Sequence, residues 1–171
     1  GPGRTVRERL EGLSLHAIDL SGGAVLETGC VYIAELQESL ALPAEVSAGA
    51  NPKSSTGRID VFTRVIVDRA QEFDGVEAGY AGPLYAEISP RTFPVLVRTG
   101  TRLSQIRFRK GAVRLSDAEL LALHAREPLV TSAEPSIQGG VAVSVDLAGF
   151  GEGRLIGYRA NQAQTPETLA A

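Results

Sequence analysis

The chain has 171 residues, 43% of them hydrophobic, with a net charge of −3, two histidines, one cysteine and neither tryptophan nor methionine. That size and composition fit one core-forming domain with a small appendage and argue against a disordered chain. The acidic balance argues against a general nucleic-acid binder, which carries a basic excess, and leaves room for a local basic pocket that holds a single nucleotide.

Residues 1–12 are charged and read as an N-terminal arm or short helix. From Leu13, "LSLHAIDL" alternates loosely, like a strand, and "SGG" makes a turn. "AVLETGCVYIAEL" reads as one or two strands broken at Gly29, with Cys30 as a buried, inert thiol inside it. "ESLALPAEVSAGANP" reads as a strand running into a turn at Pro43. The strongest β signal is "RIDVFTRVIVD", which puts Ile59, Val61, Thr63, Val65 and Val67 on one face. Glycines at 75, 79 and 82 precede a short strand from Leu84 to Ile88. "FPVLVRTGTRLSQIRFRKG" predicts a hairpin, with strands from Phe93 to Arg98 and Arg102 to Arg109 and "TGT" at the turn. One clear helix starts at Ser116, with Glu119 three residues later as a capping box, and stops at Pro128. Residues 131–139 read as a linker, "GVAVSVDLAGF" as a new strand, and the tail as loose. Many short strands with turns between them and no α/β alternation predict a mainly β fold, a barrel or jelly roll with one or two short helices. The expected organisation is an arm over 1–12, a β domain over 13–130, and a linker with a partial second repeat or tail over 131–171.

Several chemistries find no support. A zinc nucleobase deaminase needs H-x-E…P-C-x-x-C ligands, which one cysteine and the histidines His16 and His124 cannot supply. There is no G-x-S-x-G elbow, and "GANPKS" lacks the second glycine of a Walker loop. No apolar run approaches the roughly 20 residues that span a bilayer. The N-terminal residues show no secretory signal, and a lone cysteine gives no internal disulfide, so the default expectation is a cytoplasmic protein.

Two stretches carry candidate chemistry. In "PKSSTGR", Lys53 and Arg58 supply positive charge, Ser54, Ser55 and Thr56 supply hydroxyls, and Gly57 lets a ligand approach the backbone. A plain hydrophilic loop fits the same composition. In "GVEAGYAGPLYAEISP", Glu87 is either a partly buried carboxylate able to act as a general base, with Arg58 as a candidate partner, or an exposed glutamate on an edge strand.

Together, "LPAEVSAGANPKSSTGRIDVFTRVI", "GYAGPLYAEISP" and "GTRLSQIRFRKG" resemble 2'-deoxycytidine 5'-triphosphate (dCTP) deaminases, in particular the long bacterial form with two tandem halves. The resemblance spans roughly Leu13 to Gly111 and implies the distorted β-barrel or jelly roll that these enzymes share with dUTPases, with a trimer whose neighbouring subunits complete each active site. In dUTPases a glutamate directly follows the glycine of the "Y-x-G" turn. Here Gly82 is followed by Pro83, and Glu87 stands at the deaminase spacing. Glu77 stands where dUTPases carry their water-activating aspartate.

The resemblance implies that Glu87 is the general base of a zinc-independent attack of water on cytosine C4, with Ser54 and Arg58 positioning the water, the base and Glu87. It implies that Lys53 and Ser55 meet the triphosphate, that backbone around Phe73 and Asp74 lines the cytosine slot, and that Glu77 and Tyr80 lie near the sugar. Magnesium would ride on the triphosphate, and dUTP and dTTP are further candidate ligands. "SVDLAG" is similar to a motif with which family members open, which implies that the chain is an internal piece of a tandem protein. A dUTPase-like pyrophosphatase, a bifunctional enzyme and a catalytically inactive nucleotide-binding module are the alternative readings.

Overall fold

Residues 61–67 can position a site because they alternate: Val61, Thr63, Val65 and Val67 are buried, and Phe62, Arg64 and Ile66 are left on the other face. The computed structural model of the chain describes residues 3–111, 114–132, 134–157 and 167–168. In chain order the elements are α1 (Val6–Leu10), β1 (Ala24–Leu26), β2 (Tyr32–Ala41), β3 (Val46–Pro52), α2 (Ser54–Arg58), β4 (Val61–Val67), β5 (Gly75–Val76), β6 (Ala81–Pro90), β7 (Val95–Val97), β8 (Ser104–Lys110), α3 (Asp117–Arg126) and β9 (Glu167–Thr168). The fold is mainly β, as expected. It has three helices among the described residues, where one or two were expected.

The chain divides into two compact units, Gly1–Gly111 with Ala160–Ala171, and Ala112–Arg159. The first unit holds three three-stranded sheets, ordered β1-β7-β9, β2-β6-β4 and β5-β3-β8. All pairings are antiparallel except β7 with β9. One core cluster joins Leu26, Val61, Ala86, Ile88, Val95, Val97 and Leu103. A second joins Ala48, Val65, Val67, Val76 and Leu84. The N-terminal arm is tied down: Val6 is buried, its N–H donates to Asp68 Oδ1 at 2.7 Å, and Arg7 pairs with Glu35 at 2.6 Å.

Several expectations are corrected. Residues 13–20 form no strand: Leu20 O accepts from Thr99 N–H at 3.2 Å, but no ladder runs back from it, and Leu15 is 95% exposed. Residues 46–52, read as a turn, form β3, which is paired along its whole length with β8. The predicted hairpin does not form. The turn at Thr99–Thr101 closes, with Thr101 N–H donating to Arg98 O at 3.0 Å, but it sends β7 to β1 and β8 to β3. Val95 and Val97 enter the first core cluster while β8 is claimed by another sheet, so two strands adjacent in sequence never meet. Cys30 is exposed rather than buried, because β1 ends at Leu26 and the Gly29 turn at φ 77° leaves residue 30 in the connection to β2.

In the second unit, α3 carries the predicted capping box. Ser116 Oγ accepts from Glu119 N–H, and the Glu119 carboxylate accepts from Ser116 N–H at 2.7 Å. Past the helix end His124 Nδ1 accepts from Leu129 N–H at 3.0 Å, which gives this histidine a structural role. The expected strand over "GVAVSVDLAGF" reduces to two isolated bridges, Ile137 with Val141 and Phe150 with Leu155. Val143, Val145 and Leu147 are 76–81% exposed, since the segment alternates but pairs with no strand among the described residues.

Candidate active site

Glu87 lies on β6, the central strand of its sheet, so it is not the exposed edge-strand glutamate that the composition also allowed. Leu84, Ala86 and Ile88 enter the core, and alternation puts Glu87 on the opposite face with its side chain 15% exposed. Its partner is Arg64, which stands directly opposite in the β4–β6 register. Arg64 Nη2 donates to both carboxylate oxygens, at 2.8 and 2.9 Å. Arg58, the partner suggested by the sequence, makes no hydrogen bond or ion pair with Glu87 among the described residues.

The guanidinium lies over two rings. Its Cζ is 3.5 Å from the centroid of Phe73 and 4.9 Å from that of Phe62. Phe73 is brought there by Asp74, whose N–H donates to Val65 O at 2.8 Å and whose Oδ1 accepts from Val65 N–H at 2.7 Å. Asp74 adopts φ 60°, a left-handed conformation that aspartate tolerates better than most residues. The Phe73–Asp74 pair is thus stapled to β4 beside Arg64.

Tyr80 and Gly82 build the turn that feeds β6. Tyr80 OH donates to Pro83 O at 2.6 Å and accepts from Asp68 N–H at 3.3 Å. A Cβ at position 82 would lie 2.7 Å from that hydroxyl, which is the physical reason for glycine there. The phenol is therefore committed to the turn, and what Tyr80 has left for a ligand is its ring. Glu77 is exposed at the same turn, with its carbonyl accepting from Tyr80 N–H at 3.2 Å.

The "KSSTGR" stretch is a short helix rather than a loop. Thr56 anchors it: fully buried, its hydroxyl donates to Leu103 O at 2.9 Å, and Lys53 N–H donates to the same carbonyl at 2.9 Å. With Thr56 inward, Ser54, Ser55 and Arg58 are exposed and Lys53 is half-buried. Two groups of site residues result. Glu87, Phe73 and Asp74 share one cluster through Arg64 and β4, while Lys53, Ser54, Ser55 and Arg58 share the surface of α2.

Arg64 is the residue that the sequence did not single out. It belongs to no motif, and its only signal is an outward parity in a strand otherwise read for its apolar face. Among the described residues no group of three or more His, Cys, Asp or Glu side chains could hold a metal ion, and no helix is long and apolar enough to cross a membrane.

A mainly β chain with a carboxylate in a central strand and a hydroxyl-rich cationic helix belongs to a class that comparison with known proteins makes specific. The family model described as the 2'-deoxycytidine 5'-triphosphate deaminase (DCD) N-terminal domain matches residues 1–112, and that of the DCD C-terminal domain matches residues 116–167. The crystal structure of 2'-deoxycytidine 5'-triphosphate deaminase from Agrobacterium tumefaciens is similar at 60% identity and a TM-score of 0.71. The match covers 99% of this chain and 50% of that one, so the chain spans half the length of this relative. No curated protein matches significantly. The chain belongs to the 2'-deoxycytidine 5'-triphosphate deaminase family.

Proposed function

We propose that the chain carries a site for zinc-independent hydrolytic deamination of dCTP, converting dCTP and water to dUTP and ammonia in pyrimidine deoxynucleotide metabolism. The observation that carries the reading is Glu87, a half-buried carboxylate five residues after Gly82, in the central strand of its sheet. Glu87 takes a proton from the water as its oxygen bonds to C4. That proton passes to ring N3, the remaining hydroxyl proton passes through Glu87 to the amino nitrogen, the C4–N bond breaks, ammonia leaves, and a C4 carbonyl beside a protonated N3 remains. Ser54 and Arg58 orient the water and the base. Glu77 and the ring of Tyr80 meet the sugar, and Phe73 with Asp74 bounds the cytosine slot.

Lys53 and Ser55 receive the triphosphate. Magnesium supplies charge neutralisation when it rides on the phosphate oxygens. A lysine and a hydroxyl suit those oxygens, whereas a bare ion needs a carboxylate cage. The resemblance to trimeric family members supports a trimer in which α2 of one copy meets Glu87 of the next. A cytoplasmic location goes with this reading.

The test is chromatographic product analysis after incubation with dCTP and magnesium. Ammonia and dUTP are expected. Glu87→Gln keeps the shape and loses the base, so turnover should fall by at least about 1,000-fold. Full activity in that variant would remove Glu87 from the mechanism. Accumulation of dUMP would mark a bifunctional enzyme, and binding without turnover an inactive module.

A further inference from the structure

We propose that Arg64 is a positioning residue for Glu87, a role that rests on the deaminase reading. The two residues face one another in register across β4 and β6. One nitrogen, Nη2, reaches both carboxylate oxygens at 2.8 and 2.9 Å. A donor shared between the two oxygens fixes the direction of the carboxylate, whereas a contact to one oxygen leaves it free to swing. Each oxygen can accept more than one hydrogen bond, so a lone pair remains on each for the attacking water.

What holds Arg64 is a ring rather than a hydrogen-bond net. Its Nε is buried and has no hydrogen-bond partner among the described residues. The guanidinium Cζ lies 3.5 Å from the ring centroid of Phe73, with that of Phe62 at 4.9 Å. Phe73 is in turn fixed by the two Asp74 hydrogen bonds to Val65, the residue after Arg64. Positioning therefore runs from Asp74 through the Phe73 ring and the Arg64 guanidinium to Glu87. Lysine cannot reproduce this, because a compact, strongly hydrated ammonium does not spread over a ring as a delocalised guanidinium does.

The experiment compares the parent chain with Arg64→Met, Arg64→Lys and Arg64→Gly. A misdirected base slows the chemical step more than it weakens binding. For Arg64→Met, kcat for ammonia release from dCTP should fall about 100-fold while KM stays within about threefold. Arg64→Lys should lie between, and added methylguanidine should restore part of the rate to Arg64→Gly, which a merely structural role would not allow. An unchanged kcat in Arg64→Met, or a loss confined to KM, overturns the proposal. If Arg64→Met fails to fold, the same split is read on Arg64→Lys.

The second measurement needs no nucleotide. The carboxyl carbon-13 signal of Glu87 in the labelled full chain should move in Arg64→Met, and an unmoved signal overturns the pairing. A parent chain that releases no ammonia counts against the deaminase reading instead, and the carbon-13 signal then decides the pairing alone.

Discussion

The tyrosines give the residue scale a measurable consequence. Burial pushes the phenols of Tyr32, Tyr80 and Tyr85 above the usual tyrosine range, in each case as the largest cause. The folded state disfavours their phenolates, while the unfolded chain ionises them near pH 10. Their contribution to stability is therefore complete below about pH 10 and is lost as pH rises through the raised folded values. The expected outcome is a melting temperature that falls in alkali, with tyrosine ionisation followed by ultraviolet absorbance lagging until the chain unfolds. Ionisation of all three near pH 10 in the intact fold would contradict it. At this scale the sequence was readable where one residue type has one use. The pair Ser116 and Glu119 could be recognised in the string, and the structure gives it the expected reciprocal cap, whereas the Tyr80 hydroxyl that demands glycine at 82 could not be foreseen. Arg64 could not be recognised, because an arginine at an outward strand position is compatible with bare solvent as much as with a buried carboxylate.

At the scale of elements, the connection between β4 and β6 is the part that matters to the site. Its first half is polar, β5 pairs its second half with β3 and buries Val76, and Asp74 staples its middle through two hydrogen bonds to Val65 and one from Ala50 N–H at 2.8 Å. Asp74→Asn keeps an acceptor and tolerates φ 60°, so it should cost less than about 1 kcal/mol. Asp74→Ala leaves a partly buried N–H unpaired and strains the backbone, and should cost about 3 kcal/mol. Denaturant unfolding of both variants checks the difference, and equal midpoints would show that the staple contributes nothing. The period-2 pattern of β4 predicted its buried face residue by residue, since each alternate side chain meets the core whichever strand lies beside it. The same reasoning failed for the hairpin and for residues 141–147, because alternation says that a strand wants a partner and does not say which one, or whether one is present.

At the scale of the whole molecule, the proposed trimer, with α2 of one copy meeting Glu87 of the next, leads to a prediction about assembly. A chain carrying Ser54→Ala and a chain carrying Glu87→Gln should each be inactive alone. Refolded together in equal amounts, they should recover about a quarter of the parent rate, because random mixing joins an intact Ser54 to an intact Glu87 at that fraction of interfaces. Recovery of nothing, with sedimentation showing mixed trimers, would mean that each site is built within a single copy.

The sequence by itself determined the β character, the buried alternation of β4 and the cap of α3, because each depends on residues close together in the chain. Only the tertiary structure decided which strands pair, that Lys53–Arg58 rides on a helix anchored by buried Thr56, and that Arg64 rather than Arg58 meets Glu87. The reason is register. Arg64 and Glu87 are brought opposite by the pairing that runs from Val61 with Pro90 to Val67 with Leu84, across a connection whose length no local pattern constrains.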